Sequence, residues 1–250
     1  MHRLSLVQPI LFLSPATSAD APKDGEALIR EMHQRYDGKW YRTLTFVQKT
    51  SFPDGRSETW YEAAEMPGRL RIDVAPLDSM NTILFRNDSV YQYQRGERKV
   101  AEAMTHPLMV LGFDVYAQAP AETIRELRGL GFDLGRLRED TWQGRKAWVV
   151  GSTAADTLAR EFWVDQENLL FVRLVQPAPR SGPTAGKRDV AEIHFNRYRP
   201  LGQGWIATEV AFFNNGEKVQ MEEYRDIVAD PELPTTLFEP GPWRAPGWVR

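Results

Sequence analysis

The sequence predicts a mainly β protein with a few helices (α+β), built on a strongly curved antiparallel sheet. Three observations carry this. Apolar residues recur with a period of two through most of residues 40–227, the signature of strands with unlike faces. The breaks between these segments hold tight-turn residues such as Pro53-Asp54-Gly55, Asn87-Asp88, Arg95-Gly96-Glu97 and Asn214-Asn215-Gly216, which suit hairpins. No long helices alternate with the strands, as a parallel sheet would require.

Taken in order, the chain opens with His2 and Arg3, a largely apolar run over residues 4–13, and small residues Thr17, Ser18 and Ala19 before Asp20. This is the layout of an export leader spanning 1–19. The apolar run falls short of the ~20 residues that cross a bilayer, and no cysteine follows it to take a lipid. The mature chain is therefore expected to be soluble, and the loss of Arg3 takes its formal net charge from -3 to -4. A helix is predicted over 24–36, with Leu28, Ile29, Met32 and Tyr36 on one face and Asp24 as N-cap.

Strands are predicted at 40–50, 57–65, 69–75, 82–86 and 89–94. In the third, Leu70, Ile72 and Val74 alternate with Arg69, Arg71 and Asp73, which implies one buried and one wet face. A helical interlude follows over 105–131. Its first part, with Leu108, Met109, Val110, Leu111, Phe113, Val115 and Tyr116, is apolar nearly all round, as in helices that are buried or cover a cavity. Its second part, 121–130, is a short helix stopped by Gly129 and Gly131. Strands resume at 147–150, 160–165, 169–176, 190–198, 205–213 and 218–227, with a Pro-, Gly- and Ser-rich surface loop over 177–187. Because the interlude sits between two runs of one pattern, residues 20–250 read as a single domain.

With 42% hydrophobic and 26% charged residues the chain can bury one sizeable core. A net charge of -3 and a pI near 5.9 give no basic surface for nucleic acid. There are no cysteines, and the histidines are only His2, His33, His106 and His194, none at metal-ligand spacing. His194 falls opposite Ala191, Ile193 and Phe195 and reads as a solvated residue. No nucleophile elbow is present, and the glycine-rich run 129–135 follows a helix rather than preceding one, so it reads as a helix stop. Glu222-Glu223, Glu161, Asp165 and Glu167 could pair for acid-base work, but strand carboxylates mostly face water. No catalytic residue, metal or cofactor is predicted.

What stands out is apolar material on both faces of several strands. Trp205, Ala207, Ala211 and Phe213 oppose Ile206, Val210 and Phe212, and Phe171 and Val175 oppose Leu170, Val172 and Leu174. Such strands need cover on both sides, either as solid core or around a ligand cavity.

Several segments in order over most of the mature chain resemble the LolA/LolB-like superfamily of periplasmic lipoprotein carriers. They are the leader, the helix before a strand ending Phe46-Val47-Gln48-Lys49, and Met66-Pro67-Gly68-Arg69-Leu70-Arg71-Ile72 with its Pro-containing loop. The paired strands 82–86 and 89–93, Phe162-Trp163-Val164-Asp165 leading into 169–174, and Leu237-Phe238-Glu239-Pro240-Gly241 complete the set. The resemblance implies an unclosed antiparallel β-barrel with a helical lid on its concave side that takes up acyl chains.

On this sequence the implied lid is Leu108, Met109, Leu111, Phe113 and Tyr116, and the implied inner face includes Phe46, Leu70, Ile72, Val74 and Phe162. The family's sorting chaperones carry an arginine just before the proline of the segment matching Met66-Pro67, where it fastens the lid. Here that residue is Met66, which leaves the latch open: Arg69 or Arg71 could substitute, although the alternation of that strand favours solvated or sheet-surface arginines. The implied role is a monomeric periplasmic carrier of lipoprotein acyl chains or other lipid, without cofactor or catalysis, working with a membrane-bound transporter or receptor. A lipid-sensing interaction module on the same scaffold and a cofactor-independent enzyme are the competing readings.

Overall fold

The computed structural model describes residues 21–153, 160–178 and 189–249. The expected leader, and the expected surface loop beyond Ala178, lie outside the described residues.

Helix α1 is Gly25–Tyr36, capped by Asp24, whose side chain accepts from the Ala27 backbone N–H at 2.8 Å. The N-terminal meander comprises β1 Thr43–Ser51, β2 Ser57–Glu65, β3 Arg69–Val74, β4 Asn81–Arg86, β5 Ser89–Gln94 and β6 Glu97–Ala103. Then come α2 Pro107–Gly112, a 3-10 turn Asp114–Tyr116 and α3 Pro120–Gly129. The second meander comprises β7 Leu137–Trp142, β8 Arg145–Val150, β9 Glu161–Asp165, β10 Phe171–Pro177, β11 Val190–Leu201, β12 Gly204–Asn214 and β13 Glu217–Ala229, and a 3-10 turn Thr235–Phe238 follows.

All thirteen strands form one antiparallel sheet, ordered β6-β5-β4-β3-β2-β1-β13-β12-β11-β10-β9-β8-β7. Each meander is internally consecutive, and the β1–β13 pair joins them. The sheet curls without closing, and the three helices lie on its concave side. There Leu28, Ile29 and Met32 of α1, Leu111 of α2 and Leu127 of α3 pack into one core with Leu44, Phe162, Val164, Phe171, Leu174 and Val210 from the strands. Gly112 permits close approach of α2 to the sheet, since a Cβ there would come within 3.0 Å of the Phe195 ring.

The edge strands β6 and β7 carry no apolar alternation and were not predicted. Both are largely exposed, held by backbone pairing and protected by charge, as free edges commonly are. Trp40, expected to open the first strand, instead precedes β1 and stacks on Tyr116 at 4.0 Å.

The largest departure is on the convex face. Arg71 and Asp73, expected to be wet, are 5% and 1% exposed. The chain after β13 turns back over them: Leu237 and Phe238 pack on Ala63 and Leu84, and Arg71 donates to the carbonyls of Arg244 at 2.6 Å and Leu237 at 3.3 Å. Beneath this cover Arg71 grips Asp73 through two N–H donors at 2.7 and 2.9 Å, and Thr82 donates to the same carboxylate at 2.6 Å. Every polar group brought out of water is thereby matched.

The other half of the convex face is layered differently. The Arg173 guanidinium lies over the rings of Trp142 and Trp163 at 5.0 and 4.8 Å and is bound to Glu192 at 2.6 Å. His194, expected to be solvated, is half-buried here, 3.1 Å from Glu192 and against Trp142 and Phe213. That hydrogen bond first, and Arg173 after it, hold the Glu192 carboxyl down to about 2. The β9–β10 register shifts between Phe171 and Arg173. This bulge puts Phe171 and Leu174 together in the core, while Val172 packs outside with Val149 and Trp163, so simple alternation mis-sorts this strand.

The buried ion pair gives a stability test. Asp73→Ala leaves Arg71 buried without a partner and should cost ~3 kcal/mol or more in urea unfolding, whereas the double change Arg71→Met, Asp73→Leu should recover most of it. A single variant within about 1 kcal/mol of wild type would refute the burial described.

Candidate functional site

The helices do not fill the concave side. A cavity of about 270 Å³ remains between the sheet and the α2 segment. Its floor comes from Phe46 and Gln48 of β1, Trp60, Glu62 and Ala64 of β2, Leu70 and Ile72 of β3, and Ile83 and Phe85 of β4. The far wall is Phe195, Val210, Phe212, Gln220, Glu222 and Tyr224 from β11 to β13, and the roof is His106, Leu108, Met109, Phe113 and Asp114.

Of the side chains expected to hold a ligand, Phe46, Leu70, Ile72, Leu108, Met109 and Phe113 are brought together around this space. Val74 is not among the lining residues and packs against the neighbouring cluster of Ile72, Phe85, Val90 and Met109. Leu111 and Phe162 are sealed in the core at 0% exposure, the latter against Phe132. Tyr116 is also buried, wedged between Tyr36 and Trp40, and its hydroxyl accepts from the Phe171 backbone N–H at 2.8 Å. Periodicity assigns a face but not a depth, and core and cavity draw on the same residue types.

The roof is fixed by a contact the sequence does not advertise. Met66 lines the cavity, and Arg69 is paired with Glu65 at 2.8 Å. Instead Asp114, on the 3-10 turn after α2, accepts from the Gly68 backbone N–H at 3.1 Å and ties the roof to the β2–β3 turn. Burial pushes the Asp114 carboxyl up to about 7, against the effect of that hydrogen bond. His106 has its ring against Phe85 at 4.9 Å, and burial lowers it to about 4, so it is neutral at ordinary pH.

Sequence reasoning missed Glu62 in the floor and read Glu222, one of its candidate carboxylates, as solvated. Glu62 and Glu222 are only 5% and 7% exposed and stand on β2 and β13, on either side of β1. Glu222 accepts from Gln220 at 2.7 Å and from Tyr224 at 2.8 Å, and Gln48 is engaged with Thr50 at 2.8 Å. Burial raises Glu222 to about 7, opposed by the hydrogen bonds it accepts. Glu62 is raised well above the usual carboxylate range, first by burial and then by the neighbouring Glu222 charge. One signal was present in the sequence: Glu62 shares parity with Trp60 and Ala64, and Glu222 with Gln220 and Tyr224, which puts carboxylates on the inward face. Of the other carboxylates considered for pairing, Glu161 meets Arg138 and the Trp163 indole, and Asp165 meets Arg145.

No family model and no curated protein matches this sequence. Solved structures do share its fold. A DUF1329 family protein from Desulfovibrio piger aligns at 14% identity with a TM-score of 0.54, covering 86% of this chain and 95% of the other. A domain assigned to outer membrane lipoprotein sorting in Vibrio parahaemolyticus aligns at 13% identity and TM-score 0.55, with 86% and 95% covered. A LolA superfamily protein from Nitrosomonas europaea aligns at 11% identity and TM-score 0.51, with 86% and 97% covered. The fold is LolA-like.

The buried carboxylates predict a pH dependence. Glu222 moves from its ordinary 4.5 to about 7 on folding, so between those values the folded chain holds the extra proton and stability falls as pH rises. Full ionisation should cost on the order of 3 kcal/mol, at 1.36 kcal/mol per unit. His106, lowered on folding, acts in the opposite sense below 6.5, so the Glu222 contribution is best isolated by difference. Glu222→Gln should melt higher than wild type at pH 8 and level with it at pH 4.5. Parallel melting profiles for the two proteins would contradict this assignment.

Proposed function

We propose that this chain is an exported, monomeric binding protein of the periplasm that carries acyl chains of lipoproteins, or other hydrophobic ligands, in its half-barrel cavity, without a cofactor. The observation that carries the reading is a largely apolar cavity of about 270 Å³ left open between a curved sheet and its helices. The leader-like residues 1–19 support export, and no helix among the described residues is long and apolar enough to cross a membrane. The LolA-like fold supports a carrier role exchanging cargo with a membrane-bound donor or receptor.

The size of the cavity bounds what it can hold. Ligand pockets run from roughly 300 to 1,000 Å³, so this one suits a single short chain. Each methylene taken from water gains ~0.8 kcal/mol, so burying about eight gains roughly 6 kcal/mol before the losses of association. Apolar contact alone thus gives weak binding.

The carboxylate pair supports one second reading, in which Glu62 and Glu222 perform acid-base chemistry on a guest, as carboxyls raised toward neutrality can. Recovery of bound amphiphiles chemically unchanged, by mass spectrometry after prolonged incubation, counts against it.

The carrier reading is tested by saturable uptake of the fluorophore N-phenyl-1-naphthylamine by the purified chain. Ile72→Trp, which fills the floor, should weaken uptake about tenfold while leaving the melting temperature nearly unchanged. A wild-type protein that takes up no probe overturns the reading.

A further inference from the structure

The floor of the cavity holds acid groups that its surroundings leave without a cationic partner. Glu62 is 5% exposed and lines the cavity, yet among the described residues no hydrogen-bond donor reaches its carboxyl. Buried polar groups are nearly always hydrogen-bonded, and an unpaired buried carboxylate is among the costliest exceptions. Glu222 stands on the far side of β1 and four positions along it, since Glu62 pairs with Phe46 and Glu222 with Thr50, and it receives only neutral donors, from Gln220, Tyr224 and Gln48. The one cationic side chain lining the cavity, Arg69, is committed to Glu65 at 2.8 Å. His106 in the roof is neutral, and Asp114 there adds a third acid. Among the described residues lining the cavity there is no further cation.

We propose that the cavity selects amphiphiles bearing a protonated amine, with the ammonium group seated at Glu62, Glu222 adding to the field there, and the apolar body lying toward Leu70, Ile72 and Phe85. The proposal rests on the cavity being the ligand site and specifies which ligands it prefers. An ammonium carries three donors and no acceptor, which matches an unserved carboxyl. Charge-assisted hydrogen bonds of this kind are about twice as strong as neutral ones. A fatty-acid carboxylate would meet two acids of its own sign, and an alcohol would forgo the charge. A bound divalent metal fits less well: no group of three or more His, Asp or Glu side chains is placed to hold one among the described residues, and such ions want more ligands than two carboxylates supply.

The test is displacement of bound N-phenyl-1-naphthylamine from the full chain by dodecylamine, dodecanol and dodecanoate at pH 8. Dodecylamine should displace the probe at about tenfold lower concentration than dodecanol, with dodecanoate weakest. Glu62→Gln with Glu222→Gln, each competitor scored against the variant's own probe affinity, should bring the amine and the alcohol within about twofold of each other.

A second readout needs no variant. Between pH 8 and pH 5 the amine preference of the wild type should shrink as the floor takes up protons. The groups facing that floor are Glu62 on β2, Gln48 and Thr50 on β1, Gln220, Glu222 and Tyr224 on β13, Arg69 on β3, and His106 and Asp114 in the roof. Absence of probe uptake would remove the carrier reading and this proposal together. Probe uptake with equal displacement by all three amphiphiles, or a preference that survives both substitutions, overturns this proposal alone.

Discussion

A thirteen-stranded sheet that curls but does not close has two faces and two edges to protect, and the chain answers each of the four demands separately. Three helices shield the concave side, the chain after β13 covers the convex side of β2 to β4, and a tryptophan–arginine layer covers part of the convex side of the second meander. The edges are left to charged, exposed strands. The hollow is what remains where one of these demands is met incompletely: α1 and α3 pack against the sheet, but the α2 segment bridges the floor without reaching all of it.

Coverage of the convex side explains why polar residues can sit within the fold at little net cost. Arg71 and Asp73 satisfy each other and are completed by Thr82 and by carbonyls from the far end of the chain. Inside the hollow the opposite holds, since Glu62 is buried with nothing to satisfy it. The same residue type is thus neutralised on one face and left with an unmet need on the other. Proteins tolerate such local expense mainly where function requires it.

The distinction also marks how far the sequence could be read. Strands with a clean period of two, their turn residues and the Asp24 cap were legible because each depends on neighbours a few positions away. The edge strands Glu97–Ala103 and Leu137–Trp142 were not, because an edge is specified by pairing and charge rather than by an apolar stripe. The burial of Arg71 was hidden because its cover comes from Leu237 and Arg244, more than 160 positions on. Glu62 and Glu222 share one cavity only through the β1–β13 pairing, the contact that joins two otherwise local meanders. Their parity was visible, but their common cavity was not.

The strand order has one further consequence. Strands β6 and β7 are the opposite margins of the sheet, and the helices α2 and α3 lie on the stretch of chain between them. That stretch is therefore strung from tip to tip, as a cord is on a bow. It cannot swing from one end like a hinged door, because both ends are fastened. Any movement of that stretch is therefore coupled to the separation of the two sheet margins.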